Sequence, residues 1–341
     1  MRPVHPTRLA ILLAIALAAP AAANDSGEIW ITAQNTSELK ILSGNGHIET
    51  ISLPAAAQPH TITFSPDGSY AYVSNLGDGN LLVVRTEDRQ IVTTINLGPN
   101  WTHHTQPSPD GSILLSANPM TGMLTKIAAN EETETWTPVA AMNMKTETGT
   151  GLGPVCVAFR PDGQRAYVTL FGPGIAVVDV ATMTVIRTLP TVGGVVCGMA
   201  NSKDGRTIFV IANGGTGHFY RLDTTTDTLT EDTGYGAIAV GIHGLIMSAN
   251  EKRAYITAPA SDEVKVLNLN GNDVGTIPLD WRPGVSDQPD SFARKGSHLY
   301  VALRFGGQVA RINTQTGDVE YLYIAPPATS GWALHGMAVR P

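Results

Sequence analysis

The 341-residue chain has a formal charge of −7, 15% charged residues, 35 glycines, 22 prolines and two cysteines. This composition describes a turn-rich globular protein with room for a sizeable core, and it excludes disordered and coiled-coil chains. An acidic chain without a basic run also lacks the electrostatic footprint needed to bind a phosphate backbone.

The first segment reads as a signal peptide over residues 1–23. Arg2 and Arg8 precede an apolar run from Leu9 to Ala19, and Ala21-Ala22-Ala23 offers a small-residue cleavage site. Its removal takes away two arginines and no acid, leaving a mature chain of charge −9. The run is short for a membrane span, and the rest of the chain has no apolar stretch approaching about 18 residues. The expectation is a periplasmic or secreted protein without a membrane span, in which Cys156 and Cys197 are able to form a disulfide.

Residues 24–341 are organised by a recurring phrase. Ser65-Pro66-Asp67-Gly68 returns as Ser108-Pro109-Asp110-Gly111, Arg160-Pro161-Asp162-Gly163 and Ser202-Lys203-Asp204-Gly205, then in degenerate form as Ser248-Ala249-Asn250-Glu251 and Arg294-Lys295-Gly296. Its chemistry is that of a tight turn: Pro presets φ, Asp bonds the backbone two residues on, and Gly accepts positive φ. The Asp-to-Asp steps are 43, 52 and 42 residues, the size of a four-stranded propeller blade. Within one period, Pro154–Phe159, Ala166–Leu170, Ile175–Val180 and Val185–Leu189 read as four short strands separated by turn residues.

Six such repeats are predicted, at about 59–97, 103–141, 154–191, 197–238, 242–279 and 289–324. The two ends complete a seventh: Ile29–Thr32, Leu39–Leu42 and Ile48–Leu53 give its three outer strands, and Leu334–Pro341 its inner strand. The predicted fold is therefore an all-β, seven-bladed β-propeller of four-stranded antiparallel blades, closed by the C-terminal strand joining the N-terminal blade. The segment Met142–Gly153 accounts for the long step and is expected to be a loop or lid, with Met142, Met144 and Glu147 within reach of a bound metal or partner.

Ser65-Pro66-Asp67-Gly68 followed by Tyr72-Val73-Ser74-Asn75, and Arg160-Pro161-Asp162-Gly163 followed by Tyr167-Val168-Thr169, resemble the YVTN class of propeller repeats over about residues 28–341. The chain is similar to exported bacterial propellers of that class, sometimes grouped as YncE-like. The resemblance implies fold more than function, since such propellers include binding scaffolds, enzymes and cofactor-handling proteins. In a propeller the fourth-to-first and second-to-third connections share the face that meets ligands, and the Pro-Asp-Gly turns lie on the other.

Six residues before the turn proline, the repeats carry His60, His103, Val155, Cys197, His243 and His335, with Asp290 at about the same point of the sixth repeat and His104 beside His103. Imidazole, thiolate and carboxylate are ligands for transition metals, and rotational symmetry brings these positions towards one axis. His60, His103, Cys197, His243 and His335 are thus candidate ligands for a transition metal, copper first. The competing reading is structural, with the histidines bonded to the backbone of neighbouring blades. Trp101, Trp281 and Trp332 lie in fourth-to-first connections and can form an aromatic rim or pack over the core. Arg282, Asp287, Asp290 and Arg304 reach the same mouth, as do Phe171 and His218; the arginines can hold an anion or pair with the aspartates. Cys156 and Cys197, five and six residues before their turns, fall on opposite faces of consecutive blades by strand parity.

The phosphate-binding glycine loop, nucleophile elbow, haem-attachment motif and His-Glu-x-x-His motif are absent. The leading functional expectation is a binding module that presents a His- and Trp-lined face, through Trp101, His104, Trp281, Arg282, Asp290, Arg304 and Trp332, to a protein partner or small ligand. The alternatives are a copper-type oxidoreductase on the inner-strand histidines and, more weakly, a metal-independent hydrolase or lyase with a histidine base.

Overall fold

A computed structural model describes residues 27–279, 282, 284–328 and 331–341, with Cys197 described through its backbone. The predicted signal segment and Trp281 lie outside the described residues. Seven four-stranded antiparallel sheets are arranged as predicted. Blade I runs Pro59–Phe64, Tyr70–Asn75, Asn80–Arg85 and Ile91–Asn96 from inside to outside. Blades II to VI begin with the inner strands His104–Pro107, Pro154–Phe159, Val196–Asn201, Leu245–Met247 and Pro289–Lys295. Blade VII takes Leu334–Val339 as its inner strand, followed by Ile29–Ala33, Glu38–Leu42 and Ile48–Ser52. Each inner strand packs on that of the next blade, and Leu334–Val339 touches both Pro289–Lys295 and Pro59–Phe64, so the ring closes.

The closing strand pairs Ile29 with Val339, Trp30 with Ala338 and Ile31 with Met337. Arg340 adds bonds from its N–H to the Glu28 carbonyl at 3.0 Å and from Nε to the Gly68 carbonyl at 3.1 Å. The turns form as their residues dictate. Gly68 sits at φ 74° and donates to the Ser65 carbonyl at 2.9 Å, while Asp67 accepts from the Ser69 N–H at 2.9 Å.

The core fills the spaces between blades, because both faces of every central strand are covered by a neighbour. Tyr70–Asn75, for example, is buried at all six positions. Trp30, Leu39, Ile62, Val73 and Leu82 pack together between blades VII and I. The insertion after blade II is not a lid. Its chain extends the outer strand to Asn143 and forms the short helix Met144–Glu147, capped by the Asn143 side chain. Met142 and Met144 are buried in the core between blades II and III, which removes them from the channel mouth.

Five inner strands carry a register shift at their mouth end. It falls between Pro59 and Thr61, Pro154 and Val157, Val196 and Gly198, Pro289 and Phe292, and opposite Ile31 and Ala33 in the closing strand. These bulges enclose His60, Cys197, Asp290 and His335. An unpaired residue in a bulge is re-aimed relative to the strand's alternation, so the parity argument for the two cysteines does not carry across it. The Cys156–Cys197 expectation involves a side chain outside the described residues.

Candidate channel-mouth site

A cavity of about 710 Å³ opens at the channel mouth, lined by His60, His103, His104, His243, His335, Trp101, Trp332 and Phe171. Cys156, Gln106 and Asn213 also line it. The structure thus gathers five of the predicted histidines in one place. In blade III Val155 stands at the corresponding point of the ring and also lines the cavity.

Two backbone devices set these side chains. The first is a hydroxyl in the second strand, the Ser or Thr of the repeated phrase. Thr257 accepts from the Gly244 N–H at 2.7 Å and donates to the Asp290 carbonyl of the next blade at 2.7 Å. Thr32 likewise accepts from the Gly336 N–H at 2.7 Å and donates to the His60 carbonyl at 3.0 Å. The second is the glycine of His243-Gly244 and His335-Gly336. A Cβ on Gly244 would stand 2.2 Å from the Asp290 carbonyl oxygen, and one on Gly336 2.5 Å from the His60 carbonyl oxygen. Real Cβ atoms do not approach so closely, so glycine is what lets neighbouring inner strands come together here.

Three of the imidazoles are bonded to the backbone of neighbouring blades. His103 Nδ1 bonds the Val155 carbonyl at 3.1 Å, His335 Nδ1 bonds the His60 carbonyl at 3.0 Å, and His104 Nδ1 accepts from the Val157 N–H at 3.2 Å. A carbonyl accepts and an amide donates. Nδ1 of His103 and His335 therefore carries the hydrogen, and in His104 it does not. His60 differs: it is buried and neither ring nitrogen has a hydrogen-bond partner. Its ring stacks on His335 with centroids 3.5 Å apart and meets His103 edge-on at 4.4 Å.

Asp290, expected at the mouth from its ring position, is its hub, and its pairing with His243 and His335 is what sequence reasoning missed. Fully buried, it places Oδ1 2.6 Å from His243 Nδ1 and 2.7 Å from the Arg304 guanidinium, and Oδ2 2.9 Å from His335 Nε2. Arg304 also lies 4.3 Å over the Trp332 ring, which stacks on His335 at 5.1 Å. The signal was present, since Asp290 occupies the ring position that carries histidine in blades V and VII. Recognising a carboxylate–imidazole pair required knowing that blades V, VI and VII bring these positions into contact.

Burial would raise the Asp290 carboxyl, but His335, His243 and Arg304 outweigh it and hold the group well below its ordinary value. Burial, aided by neighbouring imidazoles, pushes His103 down to about 3, and burial alone pushes His104 to about 4. His60 and His335 are lowered as well, burial again leading. Burial thus favours the neutral form of His60, His103, His104 and His335, beside a carboxylate that is held ionised and paired with the Arg304 guanidinium.

Trp101 holds its place on the rim at φ 63°, an uncommon conformation for a bulky residue, with its N–H bonded to the Leu76 carbonyl at 2.8 Å. Other expected residues lie elsewhere. Arg282 pairs with Asp287 and is not part of the cavity wall, and His218 is bonded to Glu231 within blade IV at 2.6 Å.

The closed sheets and this mouth define a seven-bladed β-propeller with a histidine-lined channel. The chain is similar to the seven-bladed β-propeller protein Rv1057 of Mycobacterium tuberculosis, at 33% identity in an alignment 186 residues long that covers 50% of this chain and 42% of that protein. It thus matches less than half the length of that relative. No protein-family model matches the sequence. Among solved structures, a functionally unknown protein from Desulfotomaculum acetoxidans aligns at TM-score 0.70 and 13% identity over 92% of this chain and 99% of that one. Hydrazine synthase of Kuenenia stuttgartiensis aligns at TM-score 0.64 and 19% identity, covering 78% and 79%. Dihydro-heme d1 dehydrogenase NirN, in complex with DHE, aligns at 0.64 and 13%, covering 94% and 76%. At these identities the likeness is one of fold.

Proposed function

We propose that this chain is an exported binding module of the YVTN-repeat, YncE-like type that takes a small organic ligand at the channel mouth. The observation that carries the reading is the cavity itself. At about 710 Å³ it falls within the roughly 300–1,000 Å³ typical of small-molecule sites, and it combines apolar walls with a few fixed polar groups. Trp101, Trp332 and Phe171 offer flat apolar surface at its edge, and the neutral imidazoles offer both donors and acceptors within it. With the Arg304 charge already matched by Asp290, the chemistry favours an uncharged or weakly polar ligand with a planar face.

A second reading, docking of a protein over the mouth, draws on the exposed apolar side chains of the surrounding connections. Met120, Phe171, Val192, Val240 and Val285 are all exposed, and all lie in second-to-third or fourth-to-first connections. Those connections share one face.

The test is native mass spectrometry of protein isolated from the periplasm, before and after denaturation. A released molecule of a few hundred daltons, absent from a Trp332→Ala variant that still melts as a folded protein, is the expected result. If native spectra carry no bound molecule and a metabolite panel gives no thermal shift, the small-ligand reading fails. Crosslinking of a polypeptide through a photoreactive residue at Val240 would then favour the second.

A further inference from the structure

We propose that His243, Asp290 and His335 form a binding site for one divalent first-row transition-metal ion, zinc or copper(II), in the wall of the channel mouth. The inference does not rest on the organic ligand proposed above. It begins with His335. The Nδ1 hydrogen of this residue is committed to the His60 carbonyl at 3.0 Å, so in the neutral ring Nε2 bears a lone pair. That nitrogen stands 2.9 Å from Asp290 Oδ2, with both residues buried, at contact distance but without the alignment of a hydrogen bond. Two electron-rich atoms held face to face in a dry wall call for a cation that both can share.

The third donor comes from the adjacent blade. His243 Nδ1 lies 2.6 Å from Asp290 Oδ1, again without the alignment of a hydrogen bond, and one ligand atom from each of the three residues falls within 4.8 Å of the others. Donors bound to one zinc ion at about 2.0–2.2 Å lie roughly 3–4 Å apart, so small side-chain rotations suffice to close the set. Two imidazoles and a carboxylate are a common donor set for zinc, leaving a further position open, and imidazole nitrogen equally suits copper(II).

The surroundings fit a built site. A metal-binding histidine usually donates its other N–H to a carbonyl, and the His335–His60 bond does so. Ligating carboxylates are themselves hydrogen-bonded, as Arg304 does for Asp290 Oδ1 at 2.7 Å, and this leaves Oδ2 on the side of His335. Next to the three stands His60, fully enclosed, with both ring nitrogens unpartnered and its ring stacked on His335. The three ligands come from successive blades, and the Thr257 and Thr32 hydroxyls fix the backbone at Asp290 and His60.

The experiment is calorimetric titration of chelator-stripped full-length mature protein with Zn²⁺ and, separately, Cu²⁺, accompanied by melting curves with and without each ion. One equivalent should bind and raise the melting temperature, since an ion held by the folded state alone stabilises it. His243→Ala and Asp290→Asn should each weaken binding by more than about 100-fold, beyond the roughly 10–100-fold typical of losing an outer partner. His47→Gln, at an exposed turn outside the cavity, should bind as wild type does. If Asp290→Asn does not fold, His243→Ala, at a partly exposed position, carries the test. Absence of a one-equivalent site, or equal affinity in wild type and His243→Ala, overturns the proposal. So does a nitrogen-15 spectrum of stripped protein in which His335 is doubly protonated and remains so on metal addition, since a proton then fills the place assigned to the ion. The organic ligand is judged by its own mass measurement and does not depend on this outcome.

Discussion

The Thr257 hydroxyl of blade V donates to the main-chain carbonyl of Asp290 in blade VI at 2.7 Å, while accepting from the Gly244 N–H of its own blade at 2.7 Å. One buried oxygen thus ties the His243-Gly244 backbone of blade V to the bulge that carries Asp290. Thr257→Val keeps the shape and strands both backbone groups without a partner, and each such buried group costs about 1–3 kcal/mol. Urea unfolding should show a loss in that range, with Thr257→Ser recovering most of it. A Thr257→Val protein of wild-type stability would show that the hydroxyl is not a clamp.

Gly244 and Gly336 make a steric version of the same prediction. Their hypothetical Cβ atoms fall 2.2 and 2.5 Å from neighbouring-blade carbonyl oxygens, where backbone rather than a flexible side chain must yield. Gly244→Ala and Gly336→Ala should each destabilise by about 1–3 kcal/mol, the usual cost of overpacking. Gly46→Ala provides a comparison, because its Cβ would meet nothing within 4 Å and its φ of 83° contributes backbone strain alone. A larger loss at Gly46 than at Gly244 would contradict the close-approach argument.

The blades were legible because their signal is local and repeated. Pro66, Asp67 and Gly68 encode a turn within four residues, and the spacing of the copies encodes the ring. The ring of histidines was legible by counting back from each turn. What counting could not supply was direction. The bulges at His60 and Asp290 break the two-residue alternation on which facing arguments rest, and the Asp290 contacts join residues 47 and 45 positions away. Trp101 was placed on the rim by its connection, but its left-handed backbone depends on the bond to Leu76. The repeated phrase does more than mark the opposite face: its Ser/Thr position, at Thr257 and Thr32, braces the mouth.

Acid should weaken the fold through the buried imidazoles. His104 is pushed from an ordinary 6.5 down to about 4 by burial, and His103 to about 3. Between those values and 6.5 the unfolded chain binds more protons than the folded one, so stability rises with pH. The contribution is complete above about 6.5 and is lost as pH falls towards 4 and then 3. Chemical denaturation at stepwise pH should show this decline, with a shallower slope in His104→Gln. An unchanged slope in that variant would mean His104 is not held neutral.

Removing residues 334–341 should open the ring. The deletion takes away the inner strand of blade VII, including buried Leu334 and Met337, and the Arg340 bonds to Glu28 and Gly68. It exposes the edge of Ile29–Ala33, whose five residues are all buried in the closed ring. The truncated protein should melt well below wild type and associate through the unpaired edge. A truncation that remains monomeric and melts with the full-length chain would refute closure by the C-terminal strand.

Arg304 and Asp290 form the buried charge pair on which the mouth depends, with Asp290 fully enclosed and the Arg304 side chain 12% exposed. Removing one partner leaves the other uncompensated, a loss of about 3–5 kcal/mol for buried pairs, whereas replacing both by neutral groups costs much less. Measured in chelator, Arg304→Gln should therefore be destabilised by about 3 kcal/mol or more. Part of that loss reflects the lost stacking on Trp332, which lies 4.3 Å from the guanidinium. Asp290→Asn in the Arg304→Gln background should restore stability, although each change alone destabilises. The double-mutant cycle isolates the charge term, since the Trp332 contact is lost equally on both sides of it. Strict additivity of the two changes would show that Arg304 acts on the mouth through packing and that the Asp290 charge is balanced by another group.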